Sequence, residues 1–157
     1  MTTDSPARRL VLIAERDNNV RELQSLFLNR GGYAVEFVDD GQMALDHARR
    51  LSPALLVTEI LIPGVDGLTL CRRVRDDVRL RDLPVLVFSI LAAGTRAREA
   101  GATAFLRKPV VESTFLREVA SAIATRALSM MEQPWPRLSR PNDDTSSEQK
   151  KGMPSSG

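Results

Sequence analysis

Apolar and polar positions alternate along this chain in two registers. Five short, nearly continuous apolar runs, LVLIA (10–14), YAVEFV (33–38), ALLVT (54–58), PVLVFS (84–89) and TAFL (103–106), are separated by stretches whose apolar residues return at helical spacing. Runs this apolar predict strands buried on both faces. Asp17 or Asn18 can cap a first helix reaching about Arg30, with Val20, Leu23, Leu26 and Phe27 on one face, and Gly31-Gly32 ends it. Asp40-Gly41 opens a second helix with Met43, Ala44, Ala48 and Leu51 inward, and Pro53 stops it. Asp66 can cap a third, with Leu70 and Val74 inward. A short, weak helix is expected around 92–100, stopped by Gly101. Ser113 can cap the last, with Leu116, Val119, Ala120 and Ile123 inward.

Five apolar strands alternating with five helices argue for a parallel sheet covered on both sides. Right-handed crossovers then give a doubly wound α/β sandwich. Residues 1–8 read as an N-terminal extension and 9–127 as the folded domain. From 128 to 157 the chain is rich in Pro, Ser and charge and loses its periodicity, as a disordered tail would. Trp135, set between two prolines in that tail, reads either as a stray exposed aromatic or as the anchor of a docking peptide.

Composition narrows the chemistry. Of 157 residues, 43% are apolar and only 4% aromatic, so the core must be aliphatic. The single cysteine, Cys71, excludes an internal disulfide and a cysteine metal cage, and reads as a small buried hydrophobe. No apolar run is long enough to span a bilayer and the N-terminus lacks a signal peptide, so the reading is cytoplasmic. His47 lacks the spacing of a metal or phosphorelay site. The net charge of +2 lies outside the tail, whose acidic and basic residues balance. That excess is too small to motivate nucleic-acid binding. Outside the tail, Lys108 is the lone lysine against many arginines.

In open parallel sheets, function collects at the carboxyl ends of the strands. There the chain places Glu15, Arg16 and Asp17 after the first strand and Glu59 after the third. Ser89 ends the fourth, and Arg107-Lys108-Pro109 follows the fifth. Singly, Ser89 is an ordinary strand-end serine, and Lys108 or Glu59 could be solvated surface; the joint pattern carries the signal.

With LVLIAERDNNVRELQSLF, LLVTEILIPGVDGLTL and GATAFLRKPV, that pattern resembles the receiver domain of bacterial two-component response regulators, over residues 9 to about 127. The resemblance implies a flavodoxin-like sheet of order 2-1-3-4-5. It implies an acidic pair after the first strand that helps hold Mg²⁺, and a phosphoacceptor aspartate after the third. A hydroxyl and a lysine that bind the phosphoryl group complete the set. Carried over, the acidic pair falls on Glu15 and Arg16, the acceptor on Glu59, the hydroxyl on Ser89 and the lysine on Lys108. Phe105 takes the place of the family's aromatic switch residue, without the phenol hydroxyl of the common tyrosine.

Four departures mark the chain as an atypical, pseudo-receiver variant. Glutamate at 59 pushes its carboxylate into the space of the phosphoryl group, where displacement by about 1 Å can cost roughly a hundredfold. Glu59 can instead resemble the phosphorylated form in charge and reach. Arg16 stands where a metal ligand should be and repels Mg²⁺, so no cofactor is expected. Two glutamates against Arg16 and Lys108 balance without a metal, and Arg16 is expected to pair with one glutamate in bidentate fashion. Asp17 could supply weak metal binding but is placed to cap the first helix. Ile90 should narrow access to the acceptor. The segment from Ser89 to Gly101 is roughly three residues shorter than usual, less than one helical turn.

The expected function is therefore a stand-alone receiver, not an enzyme, working independently of phosphorylation and Mg²⁺. Its partner would be a protein: a sensor kinase, another regulator, or a localisation or motility protein, with a homodimer as a further option. The alternative is a working phosphorelay receiver with Glu59, or less plausibly Thr58, as acceptor. A ligand-binding flavodoxin-like module is opposed by the lack of glycine between Glu15 and Asn19.

Overall fold

A computed structural model describes residues 7–132. Strands β1 (Leu10–Ala14), β2 (Ala34–Val38), β3 (Leu55–Thr58), β4 (Val85–Ser89) and β5 (Ala104–Arg107) alternate with helices α1 (Asn18–Arg30), α2 (Gly41–Leu51), α3 (Gly67–Asp76), α4 (Gly94–Glu99) and α5 (Glu112–Glu132). The strands form one parallel sheet in the order β2-β1-β3-β4-β5. This is the flavodoxin-like arrangement anticipated above.

The two-residue period of a strand divides the core. Leu12, Ala14, Leu56, Val85 and Val87 face α2, α3 and α4. Val11, Ile13, Leu55, Val57, Leu86 and Phe88 face α1 and α5, where Phe115 is wholly buried against Phe88 and Phe27, at ring-centre distances of 5.5 and 6.0 Å. Apart from this cluster the buried core is aliphatic, with Phe105 packed at the edge of its α2–α3–α4 side. Cys71 lies inside it, and burial pushes its thiol up to about 12, the behaviour of a packed hydrophobe rather than a nucleophile.

Asp17, Asp40 and Asp66 cap α1, α2 and α3 through their carboxylates, as expected. The α2 helix ends at Leu51, and Ser52 adopts a left-handed conformation, φ 47°, ahead of Pro53. Gly67 starts α3 where a Cβ would lie 2.3 Å from the Glu59 carbonyl, so glycine lets the helix begin directly against the end of β3.

Three inward faces differ from the sequence reading. In α1, Leu23 and Leu26 are exposed, and the buried stripe runs through Val20, Gln24, Phe27 and Leu28. A polar residue at the centre of that stripe displaced the apparent phase. In α2, Leu45 is buried and Met43 exposed. In α5, Phe115, Val119, Ala122 and Ile123 point inward, while Ala120 is exposed. That helix begins at Glu112, so Ser113 lies inside its first turn, and it continues through Glu132, past the boundary expected at 127. Trp135 and the remaining tail lie outside the described residues. The α4 helix is short, six residues, as the abbreviated segment requires.

Candidate functional site

The register of the sheet assembles the site. Ala14 of β1 pairs with Thr58 of β3, so both strands end level and Glu15 and Glu59 leave the sheet side by side. The Glu59 amide donates to the Ala14 carbonyl at 3.1 Å. Across β4, Ser89 pairs with Arg107, and the Lys108 amide donates to the Ser89 carbonyl at 2.8 Å. Four side chains from distant points of the sequence thus share one rim.

They are joined by Lys108. Its Nζ lies 2.7 Å from Glu15 Oε2 and 2.7 Å from Glu59 Oε2, and 5.4 Å from the centre of the Phe88 ring. Both carboxylates are buried, with residue exposures of 4% and 6%. The remaining oxygens are also engaged. Glu59 Oε1 accepts from the Ile60 amide at 2.7 Å, from the Leu61 amide at 3.3 Å and from the Ser89 hydroxyl. Glu15 Oε1 accepts from the Asp17 amide at 3.1 Å. Ser89 is fully buried and also accepts from the Leu91 amide at 3.2 Å. The glutamate side chain therefore turns over its own following amides while still reaching Lys108.

Burial alone would raise the Glu59 pKa. The hydrogen bonds from Lys108 and Ser89, the Lys108 charge and the Ile60 amide overcome it and hold the carboxyl below its ordinary range. Burial likewise works against the Lys108 ammonium, but its bonds to Glu15 and Glu59 and their charges raise its pKa above the usual lysine value.

Arg16 is not part of this cluster. It is exposed and, among the described residues, pairs with neither glutamate. The expectation of an Arg16–glutamate pair is corrected: Lys108 takes both carboxylates, so the assembled group is two anions and one cation rather than a balanced set of four charges. Asp17 spends its Oδ1 on the Asn19 and Val20 amides, as a cap. Thr58 is fully buried and its hydroxyl donates to the Glu59 carbonyl at 2.9 Å, which removes it as an accessible acceptor. Ile90 is 58% exposed. Phe105 packs with the α2–α3–α4 side of the core and against Gly94, where a Cβ would meet the ring at 3.3 Å.

Sequence reasoning missed Arg21. Its guanidinium donates to the Glu15 carbonyl, to the Val38 carbonyl at 3.0 Å and to Asp39 at 2.5 Å, and lies 5.2 Å from the centre of the Phe37 ring. It ties together the ends of β1 and β2, with Asp39 as its ion-pair partner. The available signal was strand order: β2 neighbours β1, which brings Asp39 to the start of α1.

A model of the response regulator receiver domain matches residues 11–120. The chain belongs to the response regulator receiver family. It is 36% identical over 102 residues to the transcriptional regulatory protein CseB of Streptomyces avermitilis, covering 63% of this chain and 42% of that protein. It is 34% identical over 116 residues to the response regulator PleD of Caulobacter vibrioides, covering 72% of this chain and 25% of that one. This receiver chain therefore spans less than half the length of either relative. A crystal structure of a putative response regulator from Chloroflexus aurantiacus superposes with a TM-score of 0.72 at 32% identity, covering 74% of this chain and 98% of the other.

The family resemblance implies Mg²⁺ at this rim, and the donors here do not fit it. The two glutamates share one ammonium, the position of a further acidic ligand carries Arg16, and Asp17 is committed to α1. Among the described residues no group of three or more His, Cys, Asp or Glu side chains is placed to hold a metal ion. A hard cation of this kind needs several free oxygen ligands.

Proposed function

We propose that this receiver transmits a signal through protein contacts, without taking a phosphoryl group and without Mg²⁺. The observation that carries the reading is the Lys108 bridge: one ammonium holds Glu15 and Glu59, and every Glu59 oxygen already accepts a hydrogen bond. Attack through Oε2 would need Glu59 to give up Lys108, and attack through Oε1 would need it to give up Ser89 and two backbone amides. The same contacts give Glu59 the partners that a phosphorylated acceptor would take in the resembled family, Ser89 and Lys108. On this reading the switch is set by sequence rather than by phosphate. The partner is a protein: a kinase, another regulator, or a localisation or motility protein.

The test is a backbone-amide NMR titration with Mg²⁺ and then Mg²⁺ plus beryllofluoride, which stands in for a phosphoryl group. The expected result is no saturable movement of the amides around Glu15, Glu59, Ser89 and Lys108. Saturable shifts there would overturn the reading.

The presence of Ser89 and Lys108 on Glu59 also supports a second reading, a live phosphoacceptor. In that case Lys108 would pass from Glu59 to the incoming phosphoryl oxygens. Intact mass after incubation with a small phosphodonor separates the two: a phospho-adduct lost on Glu59→Gln supports the second.

A further inference from the structure

A groove of about 420 Å³ lies between α3 and the β4–α4 connection, next to the site. Ile60, Ile62 and Leu68, all buried, line it, with the exposed Leu61 and half-buried Leu91. Two exposed guanidiniums, Arg72 and Arg96, also line it, and neither makes an ion pair among the described residues. Asp66 lines it too, with Oδ1 accepting from the Leu68 and Thr69 amides and Oδ2 from the Thr69 hydroxyl, and its charge is felt by Arg72. Two guanidiniums therefore stand against one carboxylate, and the groove keeps a net positive charge around an aliphatic middle, with Arg96 the freer of the two cations. The six-residue α4, less than two turns long, contributes only Arg96 to its lining.

We propose that this groove docks an acidic, aliphatic segment of a partner protein. Carboxylates of the segment meet Arg72 and Arg96, and a leucine-sized side chain between them meets Leu61 and Leu91. Charge complementarity selects the acidic class, since guanidinium forks pair with carboxylates. Leu61, 61% exposed beside buried neighbours, marks where apolar area remains to be covered. The groove is wired to the site, because Glu59 Oε1 holds the amides of Ile60 and Leu61 at its edge. The inference rests on the reading that this chain acts through protein contacts, and it assigns that contact a place and a chemistry.

The test uses a displayed library of random peptides about twelve residues long, selected on the full chain without Mg²⁺ or phosphodonor. The expected peptides carry acids flanking Leu, Ile or Phe and move the amides of residues 61, 68, 72, 91 and 96. They should also lose at least about tenfold in affinity, roughly 1.4 kcal/mol, on the Arg72→Glu, Arg96→Glu double variant. Both arginines are exposed, so the variant should fold, and Leu61→Ser gives an independent second loss. Basic or neutral consensus peptides, indifference to these variants, or no enrichment would overturn the proposal. So would peptide binding that appears only after removal of residues 133–157, which would make the chain's own tail the occupant. Sedimentation showing a dimer broken by Leu61→Ser would overturn it in favour of a second copy. A beryllofluoride response on the same sample tests the phosphate-independent reading separately, since peptide selection does not depend on it.

Discussion

Lys108 stands 2.7 Å from Glu59 and the same distance from Glu15, at the far side of the sheet from the strand that carries Glu15. Its side chain is only 11% exposed, so solvent screens the arrangement weakly.

Removing that ammonium leaves two buried carboxylates facing each other. Lys108→Met should destabilise the fold by about 3 kcal/mol, within the range for losing one partner of a buried pair. Urea denaturation at neutral pH measures it. The loss should shrink in the Lys108→Met, Glu59→Gln double variant, because one orphaned charge is then gone.

The pH dependence follows from two shifts of opposite sign. Glu59 is held below its ordinary value of 4.5, so the folded state binds its proton less readily than the unfolded chain. Its stabilisation is present above 4.5 and is lost as pH falls through the lower folded value. Lys108 is raised above 10.5, so its stabilisation is present below 10.5 and is lost as pH rises through the higher folded value. Stability should therefore be flat across neutral pH and fall at both extremes. Glu59→Gln should flatten the acid limb, as followed by denaturant midpoint against pH.

Mg²⁺ affinity should be recoverable. Arg16→Asp adds a carboxylate at the family's acidic position, and Glu59→Asp shortens the reach to Lys108. We expect the double variant to bind Mg²⁺ at least about tenfold more tightly than the parent, or ~1.4 kcal/mol. Calorimetric or NMR titration reads the change, and each single variant should fall short of it.

Gln24 offers a stabilising change. It is 2% exposed on the inward stripe of α1, and its Oε1 has no hydrogen-bond partner among the described residues. An unsatisfied buried acceptor costs about 1–3 kcal/mol. Gln24→Met keeps the volume and removes the orphan, so the thermal midpoint should rise and the denaturant midpoint with it, leaving the site unchanged.

The strands and the capping aspartates were legible because each depends on local chemistry: apolar runs, Asp ahead of a helix, glycine and proline at its end; the strand order came only with the family resemblance. The rim was legible too, since strand ends fix where Glu15, Glu59, Ser89 and Lys108 emerge. The partner choice inside the rim was not. Arg16 is adjacent in sequence to Glu15 but lies exposed, whereas Lys108 reaches both glutamates from β5 across the ends of β3 and β4. Charge counting cannot tell which cation arrives. The phase of α1 was hidden for a related reason: Gln24 at the middle of the buried stripe violates the pattern by which such stripes are recognised.

Neighbouring strands lie roughly 4.8 Å apart, so the contact from β5 to the residue after β1 works across about three strand spacings. An edge strand such as β5 ordinarily frays alone, with little energetic penalty to the centre. Here its end is moored to the ends of β1 and β3 through Lys108. Opening of β5 near Arg107 must release Glu15 and Glu59 at the same moment, so amide exchange at that edge should slow toward the rate of β1 and β3. The sheet then breathes as one unit from its rim, and anything that loosens Lys108 would uncouple edge from centre.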